Sequence, residues 1–145
     1  MAKSLLYRLF GIGKIPVELL TLVKTEGILL LDEGIRGSTT YLDFHAPGKY
    51  FSWKRQWQTA AIILTQIRLV ALMDSQTVVN VPLADERIQR VRFSTEGAGL
   101  LCISLDPALF HHDWSGTVEY RFHYPEAPEF LSQLRAQVPG DRQVS

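Results

Sequence analysis

The chain has 145 residues, 46% of them hydrophobic, with 15 basic and 15 acidic side chains and a formal net charge of zero. That apolar content excludes wholesale disorder, and the length suits one domain with a sizeable core. The charge balance excludes a broadly basic surface, so no nucleic acid is expected as a partner; the single Cys102 excludes an internal disulfide and fits a reducing, cytoplasmic compartment.

Residues 1–16 read as an N-terminal helical segment, 17–138 as the domain and 139–145 as a polar tail. Between Ser4 and Phe10, Leu5/Leu9 and Leu6/Phe10 form i, i+4 pairs, with Lys3, Arg8 and Lys14 as basic neighbours. Such a short helix either meets a membrane surface or partner, or packs its apolar side on the domain. Arg8 interrupts the apolar run and no small-residue cleavage site follows, which argues against a secretory signal. No apolar stretch approaches the roughly 20 residues of a membrane span.

Gly11, Gly13 and Pro16 break the chain. Leu19 to Val23 and Ile28 to Leu31 read as strands flanking a hairpin turn at Lys24–Gly27. Gly34 and Gly37 punctuate the next connection, Thr39 to Phe44 alternates as a strand, and His45-Ala46-Pro47-Gly48 is a turn signal. From Tyr50 to Trp57 the odd positions Phe51, Trp53, Arg55 and Trp57 alternate with Tyr50, Ser52, Lys54 and Gln56. This predicts a half-buried strand with its aromatic face inward.

The stretch from Trp57 to Leu83 holds the densest aliphatic and β-branched run. Ile62, Ile63, Ile67, Val70, Val78, Val79 and Val81 favour a pleated surface. The reading is a strand to about Leu64, a reversal at Thr65-Gln66, a strand from Ile67 to Met73 and another from Thr77 to Val81; one buried helix over Ala60–Met73 is the alternative. Ile88 to Phe93 alternates as a further strand after a polar link at Ala84–Arg87. Leu100 to Leu105 is a strand that makes Cys102 a small buried hydrophobe rather than a nucleophile. Thr117 to Tyr124 is the last strand, with Val118, Tyr120 and Phe122 inward. Ala127, Phe130, Leu131, Leu134 and Val138 then fall on one side of a helix over Pro125–Val138.

Many short strands and one amphipathic C-terminal helix define a mainly β fold. Leu64-Thr65-Gln66-Ile67-Arg68-Leu69-Val70 resembles the leucine-threonine-x-x-arginine-leucine-hydrophobic strand pair of bacterial PH-like and GRAM-like domains. Val81-Pro82-Leu83-Ala84-Asp85 followed by Ile88 resembles the segment after it in those domains. Glu26–Gly34, the Ala46-Pro47-Gly48 turn and the Trp57 region are similar to a bacterial branch of that superfamily. The resemblance covers most of Val17–Val138. It implies a strongly bent antiparallel sheet, or partly open barrel, of about seven strands closed by the C-terminal helix; the Ser4–Phe10 spacing adds a short N-terminal helix. It also implies a module that binds lipids, peptides or proteins. Phosphoinositide-binding members carry a Lys-x(n)-Lys/Arg-x-Arg pattern around their first hairpin; Val-Lys-Thr-Glu-Gly-Ile at Val23–Ile28 departs from it.

The candidate binding residues are Arg36, Lys49, Lys54, Arg55 and Arg68, with Tyr50, Trp53 and Trp57 as aromatic neighbours. They could meet a protein partner or, weakly, an anionic membrane; the alternative is ordinary solvated charge over buried aromatics. Arg68 shares a strand face with Val70 and Leu72, so it either pairs structurally or reaches an anionic ligand. A small metal-binding protein or enzyme centred on His111, His112 and His123 is the alternative function. Adjacent histidines point apart on a strand or a helix, which disfavours one shared metal. Ser104 and Ser115 lack a nucleophile elbow, and Gly11-x-Gly13 precedes no phosphate loop. No cofactor, metal or catalytic residue is expected, and the oligomeric state is left open.

Overall fold

The computed structural model describes residues 14–138. The expected helix over Ser4–Phe10 and the polar tail lie outside the described residues. Within them, helix α1 (Val17–Thr25) precedes strands β1 (Ile28–Ala46), β2 (Lys49–Thr65), β3 (Arg68–Met73), β4 (Gln76–Pro82), β5 (Arg92–Glu96), β6 (Leu100–Leu105) and β7 (Ser115–His123). Helix α2 (Ala127–Gln137) ends the fold. All seven strands form one antiparallel sheet in the order β4-β3-β2-β1-β7-β6-β5. The sheet is open, with β4 and β5 as its edges.

β1 and β2 have 19 and 17 residues. A straight strand of that length would run about 60 Å, far beyond a domain of this size. They bend instead. β1 carries a register shift at Gly34 (φ 73°), and its pairing with β7 slips between Leu42 and His45, where Asp43 has φ 49°. Gln76–Val78 of β4 consequently line the same cleft as Tyr120 of β7. In a flat sheet those strands would stand about 19 Å apart. Gly34 and Gly37 lie inside β1 rather than in a connection. A Cβ on Gly37 would come within 2.8 Å of Ala60 Cβ and 2.9 Å of the Arg121 carbonyl oxygen, so glycine lets three strands approach there.

The inner face encloses one core drawn from all seven strands and α2. Ala127, Phe130, Leu131, Leu134 and Val138 are all buried, as their spacing predicts, and Tyr124 meets Phe130 edge to face at 6.0 Å. Val118, Tyr120, Phe122 and Cys102 are also buried. A second, smaller core lies on the outer face, where Val23 of α1 packs with Ile15, Ala61, Ile63, Val70 and Leu72.

One expected strand, and the first half of the expected Ile88–Phe93 strand, are helical turns, while Arg92 and Phe93 open β5. Leu19–Val23 belongs to α1, so Lys24–Gly27 is a helix end and the first hairpin is β1–β2 at Pro47-Gly48. Five residues, four of them apolar, cannot separate the two periods. Ile15, Leu19 and Val23 at intervals of four, with Pro16 ahead of the first turn, Glu18 in it and Lys24 in the last, decide for helix. Ile88–Arg90 lies in a 3-10 turn (Glu86–Arg90), because the Asp85 carboxylate accepts the Arg87 amide at 2.9 Å and caps it. The reversal after Thr65, the β3 and β4 strands and Leu100–Leu105 fall within a residue or two of their predicted places.

Candidate functional site

β2 separates two rows of side chains. Leu64, Ile62 and Ala60 point into the inner core, and Gln58 and Gln56 continue that row into the cleft. Ile63, Ala61, Thr59, Trp57, Arg55 and Trp53 form the outer row. α1 covers Ile63 and Ala61. Toward the β1–β2 hairpin the cover ends, and Trp57 and Trp53 are 63% and 59% exposed.

The predicted inward aromatic face is therefore reversed: Trp53 and Trp57 stand outside. A single-residue frame decides which side chains a strand buries. Stepping back from Leu64 in twos reaches the glutamines rather than the tryptophans. Because Ala61 and Ile63 are apolar as well, that frame is ambiguous until α1 is recognised as their cover. Phe51 alone of the predicted face turns to the core, stacking on Phe44 at 6.0 Å.

Arg55 sits between the two indoles. Its guanidinium carbon is 5.5 Å from the Trp53 ring centre and 6.0 Å from that of Trp57. Its Nε donates to Thr40 Oγ1 at 2.8 Å, directly across the strand pair. No carboxylate among the described residues pairs with Arg55. Its remaining N–H groups keep a planar fork suited to an incoming carboxylate or phosphate.

The five predicted cations do not form one patch. Lys49 stands exposed at the hairpin beside Tyr50, itself 54% exposed. The Lys54 ammonium lies 4.5 Å over the Phe51 ring. Arg36 acts at the other end of the outer row: burial first, then the positive charges of Arg36 and Arg121, hold the His123 imidazole below its usual range. The His123 ring is 6.4 Å from Trp57. Arg121 is itself neutralised by Glu119 at 3.2 Å and Glu96 at 3.3 Å.

Arg68 is committed elsewhere. Its Nε lies 3.1 Å from both Glu26 carboxylate oxygens, Nη2 3.1 Å from Oε2, and Nη1 donates to Asn80 Oδ1 at 2.9 Å. Thr65 Oγ1 accepts the Ile67 and Arg68 amides at 3.0 and 2.9 Å and donates to Glu26 at 3.2 Å. The Leu64–Val70 motif thus builds a clamp that ties the end of α1 to the β2–β3 turn.

The histidines are dispersed. His111 stacks on Trp114 at 3.7 Å, His45 lies against Tyr50 at 4.5 Å, and His112 is exposed. Among the described residues, no group of three or more His, Cys, Asp or Glu side chains could hold a metal ion. Nor is any helix among them long and apolar enough to cross a membrane. Cys102 is buried, and desolvation chiefly pushes its thiol up to about 11.

The chain matches no protein-family model and no curated protein. What defines the site is its own geometry: an open antiparallel sheet with an uncovered tryptophan–arginine–tryptophan ladder on its outer face.

Proposed function

We propose that this chain is a noncatalytic, PH-like binding module of the cytoplasm that docks a protein partner on the Trp53–Arg55–Trp57 ladder. The seven antiparallel strands and the C-terminal helix packed on the inner core support this reading, with the sheet left open rather than closed. A fold of this kind does not fix function, so the site carries the argument. The deciding observation is two indoles, each more than half exposed, on either side of an arginine with no carboxylate partner among the described residues. Tryptophan and arginine dominate the energetics of protein interfaces because they bury large area and offer directed hydrogen bonds. The surface fits a partner that sets an acidic side chain between two apolar ones.

A photo-crosslinking residue at position 53 should trap a discrete partner in cells, while the same residue at exposed Leu22 on α1 should not. Equal trapping at both positions contradicts the assignment. A second reading rests on Lys49 and Tyr50 at the hairpin tip: weak contact with an anionic membrane. Each basic side chain near such a surface contributes about 1 kcal/mol, so binding to phosphatidylserine vesicles should be slight and vanish at high salt. Tight binding that survives high salt would replace the protein-docking proposal with a lipid one.

A further inference from the structure

The inner face of the sheet carries a second site. Beyond the hydrophobic core, an open cleft of about 470 Å³ lies between β4 and the connection from β6 to β7. That size is within the range of small-molecule pockets, roughly 300–1,000 Å³. Among the described residues, its lining contains no lysine, arginine, aspartate or glutamate. Gln58 is fixed at both ends of its amide, accepting from Thr39 Oγ1 at 2.5 Å and donating to Asp74 Oδ2 at 3.4 Å. On the opposite wall, His111 and Trp114 stack with ring centres 3.7 Å apart and planes 20° from parallel.

Tyr120 supplies the observation that points to a ligand. It is 7% exposed, yet its hydroxyl has no hydrogen-bond partner among the described residues and is not sealed from solvent. A hydroxyl in that state opens into the cleft as a free donor and acceptor. Burial, and secondarily the nearby Tyr41, raise its ionisation well above the usual phenol range, so it keeps its proton.

The occupant's chemistry follows from what the walls can satisfy. A phosphate or carboxylate would lose its hydration without meeting a formal positive charge, and a cation would find no carboxylate lining. An added peptide strand would need a regular β4 edge, but the β3–β4 pairing jumps from Ala71↔Val79 to Leu72↔Thr77, leaving Val78 as a bulge. Hydroxyls and carboxamides match a neutral ligand dense in hydroxyl groups, and a flat aromatic wall suits the C–H face of a pyranose ring. We propose that this cleft binds a neutral saccharide-class molecule, with the Tyr120 hydroxyl and Gln56 carboxamide as its hydrogen-bonding groups and the His111–Trp114 stack as its platform. The site is independent of the outer ladder and of the partner proposed there.

The test is a titration of the isotopically labelled full chain with glucose, galactose, mannose, N-acetylglucosamine and maltose, and with glucose 6-phosphate as the charged control. The Trp114 indole resonance, assigned through Trp114→Phe, should shift and saturate with a neutral sugar, while the Trp53 and Trp57 indoles stay still. Tyr120→Phe should weaken that binding about three- to tenfold, the loss expected of one hydrogen bond, with an unchanged unfolding midpoint. The proposal is overturned if no neutral sugar moves Trp114 at about 50 mM, where a millimolar Kd saturates. It also fails if the sugar phosphate binds more tightly, or if Tyr120→Phe binds as wild type.

Discussion

The outer row of β2 is one strand face with two ends treated differently. At one end Ile63 and Ala61 are sealed under α1; at the other, Trp57 and Trp53 face solvent around Arg55. Hydrophobicity does not explain the difference, since the largest apolar side chains of the row are the uncovered ones. A helix of nine residues spans only about 14 Å, so α1 cannot shelter the length of β2. The covered end is built for stability. On the docking proposal, the uncovered end keeps apolar area, and an arginine with no carboxylate partner among the described residues, available to another molecule.

Substitutions at the two ends, with the inner core as reference, should order accordingly. Phe130→Ala sets the scale for a fully buried side chain and should cost about 3–5 kcal/mol in urea unfolding; a loss under ~1 kcal/mol would make α2 peripheral. Ile63→Ala should cost about 2–5 kcal/mol by the same measurement, and a negligible loss would mean that α1 does not seal its end. Arg68→Ala should cost about 1–3 kcal/mol, because it strands the Glu26 carboxylate, which is only 10% exposed. Arg68→Lys should recover part of that, lacking the planar fork. An Arg68→Ala protein of wild-type stability that had lost binding would move Arg68 into the functional site.

The smallest effect concerns pH at the junction of the two ends. His123 is held below its usual 6.5, so the folded state resists its protonation. Its contribution to stability is present above pH 6.5 and is lost as pH falls through the lower folded value. The unfolding free energy of wild type should therefore fall more steeply with acidification below pH 6.5 than that of His123→Gln. Parallel profiles would remove Arg36 and burial as influences on this group.

The sequence made the inner face legible and the outer face obscure, for the same physical reason. α2 shows its buried side at helical spacing because its other side is polar, and Val118, Tyr120 and Phe122 alternate cleanly for the same cause. Around β2 that contrast is missing: Ile62 and Ile63 are both apolar and both buried, so alternation alone cannot say which way Trp57 points. The short Leu19–Val23 window hid the helix that covers Ile63. Arg68 was recognisable as a charge among apolar neighbours, but its partners Glu26 and Asn80 come from 42 and 12 residues away in the chain. The cleft around Tyr120 joins β1, β2, β4 and β7, a juxtaposition made by the bend in the sheet.

On the docking proposal, the uncovered end of β2 serves contact rather than stability. The most direct test is the amount of partner recovered by affinity capture with a Trp53→Ser/Trp57→Ser protein relative to wild type, each first shown to be folded. The double variant should unfold within ~1 kcal/mol of wild type, as exposed positions do, and recover less than about a tenth of the partner. Full recovery of the same partner by the folded double variant would contradict the account.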